Sequence, residues 1–411
     1  MPEMKSSKTH RERAKAASDK AAALGEDIDL DTYAGSAEEH PYQADPSQLP
    51  ADVKERMLEA GVSLDDVSKR SGTFIQMDNT PVHSSSRQEG IELMPTSQAL
   101  EKYDWLPDYW WQAVAVDSDK YTAHVELGQS DGYFIRALPG HKITYPVQAC
   151  LYLAKNRLAQ NVHNIIIAEE GSELHIITGC TTASEKDYGL HLGVSEFYIK
   201  RGAKVTFTMI HNWNPEIAVR PRTGVIVEQD GVFLSNYVIM KPVRSLQTNP
   251  SAKCVGENAT VRFNSVLVAA PNSVMDVGSV VFLNAKGSRT EIISRAITTG
   301  GEIVARGHIE GNAPEVKGHL ECRGLILHEK GVIHAVPELK GTLASIDLSH
   351  EAAVGKIAEE EVEYLMARGL TRAEATATIV RGFLRVDIEG LPAMLSAELQ
   401  RAIEASEQDL M

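Results

Sequence analysis

The chain has 411 residues, with 56 Asp and Glu against 41 Lys and Arg, for a formal net charge of -15. That acidic balance argues against a nucleic-acid-binding surface, which needs a basic face. No apolar run approaches the ~20 residues of a membrane span. A hydrophobic content of 43% supports a sizeable core, so the chain reads as globular, with two or three units.

The charged N-terminus has no apolar signal core, which points to the cytoplasm. Residues 1–30 read as a frayed helix or as disorder, and 31–50 as a polar, proline-containing linker. The segment 1–45 is therefore expected to be flexible, and 46–120 to be a mixed helical region. Within the latter, Pro50 to Gly61 predicts a short helix stopped by glycine, followed by another turn or two from Val62. Gly72–Met77 predicts a strand, and a polar stretch runs on to about residue 90. Trp105, Tyr109, Trp110 and Trp111 form an aromatic cluster that reads as a packing anchor or interface.

From about residue 121 to 345, short runs rich in Val, Ile, Phe and Thr alternate with glycine-bearing turns. Asn164–Ala168, Leu174–Thr178, Glu196–Lys200, Lys204–Ile210, Val232–Ile239, Thr260–Val268 and Glu302–Arg306 are the clearest. Strands recur about every 8–12 residues with little helix between them. Such a run is too long for one sandwich and lacks the helices of βαβ units. A stacked β-solenoid and a pair of sandwiches both accommodate it. After Ser349-His350-Glu351 the apolar residues Ala352, Ala353, Val354, Ile357, Val362, Leu365 and Met366 take helical spacing. Residues 346–411 therefore read as helical. One helix spans Glu351 to Arg368 and ends at Gly369. Thr371 and Glu374 form a capping box for the next, whose apolar face is Ala375, Ile379, Val380, Phe383 and Leu384. A last amphipathic helix spans Ala393 to about Glu407.

No phosphate-binding GxxxxGK[ST] loop, GxGxxG turn, GxSxG elbow or HExxH helix occurs, which disfavours ATP binding by the chain itself, hydride transfer, hydrolase and zincin chemistry. The four cysteines, Cys150, Cys180, Cys254 and Cys322, lie far apart and form no CxxC pair. In a reducing compartment they are free thiols. Cys322 has Arg323, His319 and Lys317 nearby to favour a thiolate, a soft ligand suited to iron–sulfur chemistry. His350 and Glu351 read either as a helix entry capped by Ser349 or as an imidazole and a carboxylate able to ligate iron.

Glu321-Cys-Arg-Gly-Leu-Ile-Leu327, Asp347-Leu-Ser-His-Glu-Ala-Ala-Val-Gly-Lys-Ile357, Tyr364-Leu-Met-Ala-Arg-Gly-Leu370 and Ile379-Val-Arg-Gly-Phe-Leu384 together resemble the SufB/SufD family, scaffold subunits of the SUF iron–sulfur cluster assembly system. The resemblance covers roughly the C-terminal two-thirds of the chain. It implies a mainly β fold with a right-handed parallel β-helix core. It also implies a non-enzymatic scaffold that builds a transient iron–sulfur cluster and passes it to apo-proteins. Cys322 and Glu351 match SufB residues of the nascent-cluster site, and His350 matches the histidine that SufD members bring to the shared interface. Cys180 matches a cysteine that receives sulfur. His211 and Trp213 fall on the family's polar path by the Asn-Trp match, with glutamine usual in SufB members where this chain has His211. Arg222 sits near the basic pair of that path, whereas Leu151-Tyr-Leu-Ala replaces the family's Arg-x-Asn at its entry. Cys150 and Cys254 match no such role and read as structural. The implied partners are a SufC-like ABC-type ATPase docking on the C-terminal helices, a sulfur donor, and a second copy or a paralogue. With both the thiol and the histidine in one chain, a homodimer would complete the site. Flavin binding is associated with the family, but no motif locates it. A SufD-like partner without its own cluster is the main alternative, and a β-helix polysaccharide enzyme, which needs paired acids in a groove, the lesser one.

Overall fold

The computed structural model describes residues 9–64, 67–128, 130–183 and 188–384. Strands run alternately into two long sheets. The first contains, in spatial order, Thr80–Ser86, Gly72–Met77, Val147–Leu153, Glu173–Thr182, Lys204–Asn212, Val232–Ile239, Thr260–Ala269, Arg289–Thr298, Lys317–Ile326 and Asp347–Gly355. From Gly72–Met77 onward every neighbour in it is parallel. The second sheet stacks the intervening strands, among them Ala159–Ala168, Gly189–Ile199, Glu302–Gly311 and Val332–Gly341. The result is a β-solenoid of about 8 turns, with a short N-terminal helical region and C-terminal helices. Parallel stacking excludes the pair of sandwiches, whose sheets are antiparallel. Side-chain bonds between stacked coils join residues 28, 29, 30 or 31 apart, which measures one turn.

The sheets are held most firmly where the strands are buried on both faces, as is usual for parallel strands, and the last strands of both sheets are largely exposed. Gly189–Ile199 has no exposed residue. Inward-facing rows fill the lumen, where Phe197 packs on Phe207 and Phe233 with ring centroids 4.9 and 5.0 Å apart. The outer row Leu190, Leu192 and Val194 lies under Ala14, Ala17, Ile28, Val116 and Tyr121. The outer row Ile177, Ile210, Val238, Val266, Ile297 and Leu325 lies with Val380 and Phe383.

Across three coils the second sheet is split, into Ile217–Val219 and Arg222–Val227, Ser245–Thr248 and Ser251–Cys254, and Val274–Val277 and Val280–Leu283. Pro221 and Pro250 occupy two of the gaps, where an amide N–H is missing from the ladder. A cavity of about 40 Å³ lies at this break, lined by Pro221, Pro250 and Gly278 on one side and Met209, Tyr237 and Ser265 on the other.

Several local expectations stand. The helices Ala51–Glu59 and Arg372–Leu384 form, as does the strand Gly72–Met77. Thr371 and Glu374 make the reciprocal capping bonds, 2.7 Å from Thr371 N–H to the Glu374 carboxylate and 3.3 Å from Glu374 N–H to Thr371 Oγ1. Trp110 and Trp111 are packing anchors. Their rings lie 3.8 and 4.2 Å from the His163 ring, and Trp111 N–H donates to buried Glu196 at 2.7 Å.

One expectation is overturned. The helix expected from Glu351 begins at Glu359 and ends at Met366; Asp347–Gly355 is a strand hydrogen-bonded to Lys317–Ile326, and that ladder outweighs the helical spacing of its alanines. Neither His350 nor Glu351 is therefore at a helix entry. Of the two readings of residues 1–30, a helix is present: Thr9 caps His10–Ala16, and Arg13 binds both Asp117 oxygens at 3.1 and 2.6 Å. The polar stretch before residue 90 holds the strand Thr80–Ser86, antiparallel to Gly72–Met77. The helix expected over Ala393 to Glu407 lies outside the described residues.

Candidate functional site

Two thiol-bearing places emerge, one inside the solenoid and one at its end. The inner one is built across both sheets. Cys180 and His211 are register partners on neighbouring coils of the first sheet. His191 comes from the second sheet, on the strand Gly189–Ile199. Cys180 Sγ and one ring nitrogen from each histidine all lie within 4.8 Å of one another. All three residues are buried, and Trp213 packs against both imidazoles at 5.0 and 5.4 Å.

Hydrogen bonds fix the rings. Gln160 Nε2 donates to the Asp78 and Tyr152 carbonyls at 2.9 and 3.2 Å, which turns its Oε1 toward His191 Nδ1 at 2.8 Å. An amide oxygen only accepts, so His191 carries its proton on Nδ1 and a lone pair on Nε2. His211 Nδ1 shares a 2.8 Å bond with the Tyr237 hydroxyl, while its Nε2 is buried without a partner, as is Trp213 Nε1. Burial pushes His191 down to about 3, and burial together with His191 holds His211 well below 6.5. Both rings are thus neutral. Burial, with Cys150 adding to it, raises the Cys180 thiol well above its ordinary value.

At the far end, Cys322 faces the lumen on Lys317–Ile326 and is 2% exposed. Burial and then Glu321 push its thiol up to about 11, with Arg295 pulling the other way. His350 is the register partner of Leu320, and Ala352 that of Cys322, so His350 shares the inner face with the thiol, one coil further on. Glu351 pairs with Glu321 and takes the opposite, outer face, where Arg323 binds Glu351 at 3.0 Å and Glu321 at 2.8 Å. Within one chain the structure brings Cys322 and His350 to one face and leaves Glu351 on the other.

The sequence-derived path divides similarly. Cys180, His211 and Trp213 are together. Arg222 is not with them: it binds Asp119 at 2.7 Å, at the start of the helix Lys120–Leu127. Cys150 and Cys254 are buried thiols, Cys254 pushed up to about 12 by burial. One inner register column joins the two places: Thr178, Met209, Tyr237, Ser265, Ser294 and Cys322 are successive partners on neighbouring coils. Five steps at strand spacing make about 24 Å. His191, Gln160, Tyr237, Ser265 and Ser294 were missed from the sequence. Tyr237, Ser265 and Ser294 were legible in principle, being spaced by one coil from Met209 to Cys322. His191 left no such signal, since it comes from the facing sheet.

The fold is a parallel β-solenoid with two histidines and a cysteine able to hold a metal ion gathered in its lumen, and no helix among the described residues is long and apolar enough to cross a membrane. The family model described as SUF system FeS cluster assembly, SufBD core domain, matches residues 151–383. An iron-sulfur cluster assembly SufBD family protein of Methanothermobacter thermautotrophicus is 50% identical over 403 residues, 96% of this chain and 97% of that one. Another, of Archaeoglobus fulgidus, is 53% identical over 358 residues, 87% of this chain and 96% of that one. A third, of Staphylococcus epidermidis, is 27% identical over 392 residues, covering 92% and 83%. The chain belongs to the SufBD family of iron–sulfur cluster assembly proteins.

Proposed function

We propose that the chain is a SufB-like, non-enzymatic scaffold on which iron and sulfide are joined into a nascent cluster at the open end of the solenoid, for delivery to apo-proteins. The observation that carries this is the shared inner face of Cys322 and His350 at the last coils. Thiolate and imidazole are both iron ligands, whereas Glu351, on the outer face and paired with Arg323, could join them only across a contact with a second copy. The last strands, Val332–Gly341 and Asp347–Gly355, each pair on one side only among the described residues. Val332, Leu343 and Val354 are exposed there. Edges unpaired among the described residues call for a cover. A second copy supplies it, and an isologous contact brings both copies' Cys322, His350 and Glu351 to one seam. Cys180 is the sulfur acceptor in this reading: its thiolate attacks the outer sulfur of a donor protein's persulfide, a new Cys180 persulfide forms, and the donor's thiolate leaves. A SufC-like ABC ATPase acts through the C-terminal helices, in the cytoplasm.

Anaerobic reconstitution with ferrous iron and sulfide tests the reading. A visible chromophore should form on the wild-type chain and on Cys254→Ala, and fail on Cys322→Ser. Light scattering should give a dimer. A chromophore that survives Cys322→Ser places the cluster away from Cys322 and overturns the site, and a chain that builds none favours the SufD-like reading of a partner subunit for iron entry or stability.

A further inference from the structure

We propose that Cys180, His191 and His211 form a separate mononuclear site for a divalent cation of the borderline-soft class, zinc or ferrous iron, inside the solenoid. One sulfur and two imidazole nitrogens are a donor set that suits these ions, and the three converge within 4.8 Å from two facing sheets. His191 presents a lone pair on Nε2, and His211 presents one on Nε2 in the tautomer whose Nδ1–H donates to the Tyr237 hydroxyl. Gln160 holds the His191 proton on Nδ1, leaving Nε2 with its lone pair. Gly193 stands beside that Nε2, where an added Cβ would come to 2.8 Å, so the absence of a side chain keeps the nitrogen clear. His211 is held through Nδ1 by Tyr237, leaving its Nε2 buried and unpaired. A buried polar atom without a partner points to a missing ligand. Gln160 and Tyr237 are the kind of outer contacts that orient metal-bound histidines. Trp213 Nε1, also unpaired, is a donor for an exogenous fourth ligand.

Binding is a proton exchange without redox change: the cation replaces the Cys180 proton, which leaves to solvent, and a sulfur–metal bond forms. The site differs from the Cys322 end, about five coils away by strand register. Cation binding and sulfur acceptance at Cys180 exclude each other on one chain. Tyr237 and Met209 also wall the cavity at the split of the second sheet, which offers a way in.

The full chain, stripped with chelator under anaerobic conditions, is titrated with cobalt(II) and then with zinc. The expected result is one cobalt per chain, with a thiolate-to-cobalt charge-transfer band and intense tetrahedral ligand-field bands, displaced by zinc. Cys180→Ser should lose the charge-transfer band. His191→Gln and His211→Gln should each weaken binding by about 100-fold or more, beyond the loss expected from removing an outer contact alone. Cys322→Ser should change neither. A band that survives Cys180→Ser, or one that disappears in Cys322→Ser, or the absence of stoichiometric binding, overturns the proposal. If Cys180→Ser fails to fold by circular dichroism, the two glutamine variants decide. Metal analysis of the chain as purified distinguishes zinc from iron. Cobalt binding at Cys180 without a cluster at Cys322 would leave this site standing and sink the scaffold reading; the reverse pattern would do the opposite.

Discussion

Tyr237 hydrogen-bonds His211 at 2.8 Å and stands in the same inner register column as Cys322, two serines away. One side chain thus touches the buried imidazole cluster and begins the polar row that leads to Cys322. Tyr237→Phe should weaken cobalt binding at Cys180 about tenfold, the effect of losing an outer contact. It should cost about 1 kcal/mol of stability for the lost bond. Titration of the variant and its urea midpoint check both figures. Unchanged cobalt affinity would mean that Tyr237 does not orient His211.

The buried histidines set a pH dependence. His191 is pushed down to about 3 and His211 well below 6.5, whereas the unfolded rings titrate near 6.5. Below 6.5 the unfolded state therefore binds more protons, so stability rises with pH through this window. It is fully present above 6.5 and falls as pH drops toward the folded-state values, by about 1.4 kcal/mol per pH unit and histidine at most. Urea unfolding at pH 7.5 and 5.0 should show this loss, and His191→Gln should show less of it. An equal loss in the variant would assign the effect elsewhere.

Gly179 should not tolerate a methyl group. An added Cβ would collide with the Ala60 backbone oxygen and crowd Val62, where the turn after the helix Ala51–Glu59 lies against the first sheet. Gly179→Ala is expected to destabilise the chain by about 1–3 kcal/mol, read as a lower urea midpoint. Its neighbour Cys180 makes the same change a sensitive probe of the inner site.

Glu351 separates stability from function. Its ion pair with Arg323 spans 3.0 Å between side chains 56% and 44% exposed, so solvent screens it. Glu351→Ala should shift stability by less than about 0.5 kcal/mol, yet lower the yield of reconstituted cluster. A wild-type yield would remove Glu351 from the site.

Val354 lies exposed on the last strand of the first sheet. Val354→Pro removes an edge N–H and should leave the fold intact while shifting light scattering from dimer to monomer. A persistent dimer would place the contact elsewhere.

How much of this was legible before folding follows from what a sequence encodes locally. The strand Gly72–Met77, the helix after Pro50 and the Thr371–Glu374 capping box depend on neighbours a few residues away, and their patterns identified them. The resemblance carried by residues 321–384 led to Cys322 and His350. Composition could not choose a solenoid, and helical spacing misread Asp347–Gly355, because a ladder from a coil 30 residues earlier decided that segment. The same distance effect hid the inner site. Cys180 and His211 meet because one coil closes between them, and His191 meets them from the opposite sheet. Where a coil closes, and how completely it shuts out water around two imidazoles and a thiol, is a property of the whole stack. No window of the chain contains it.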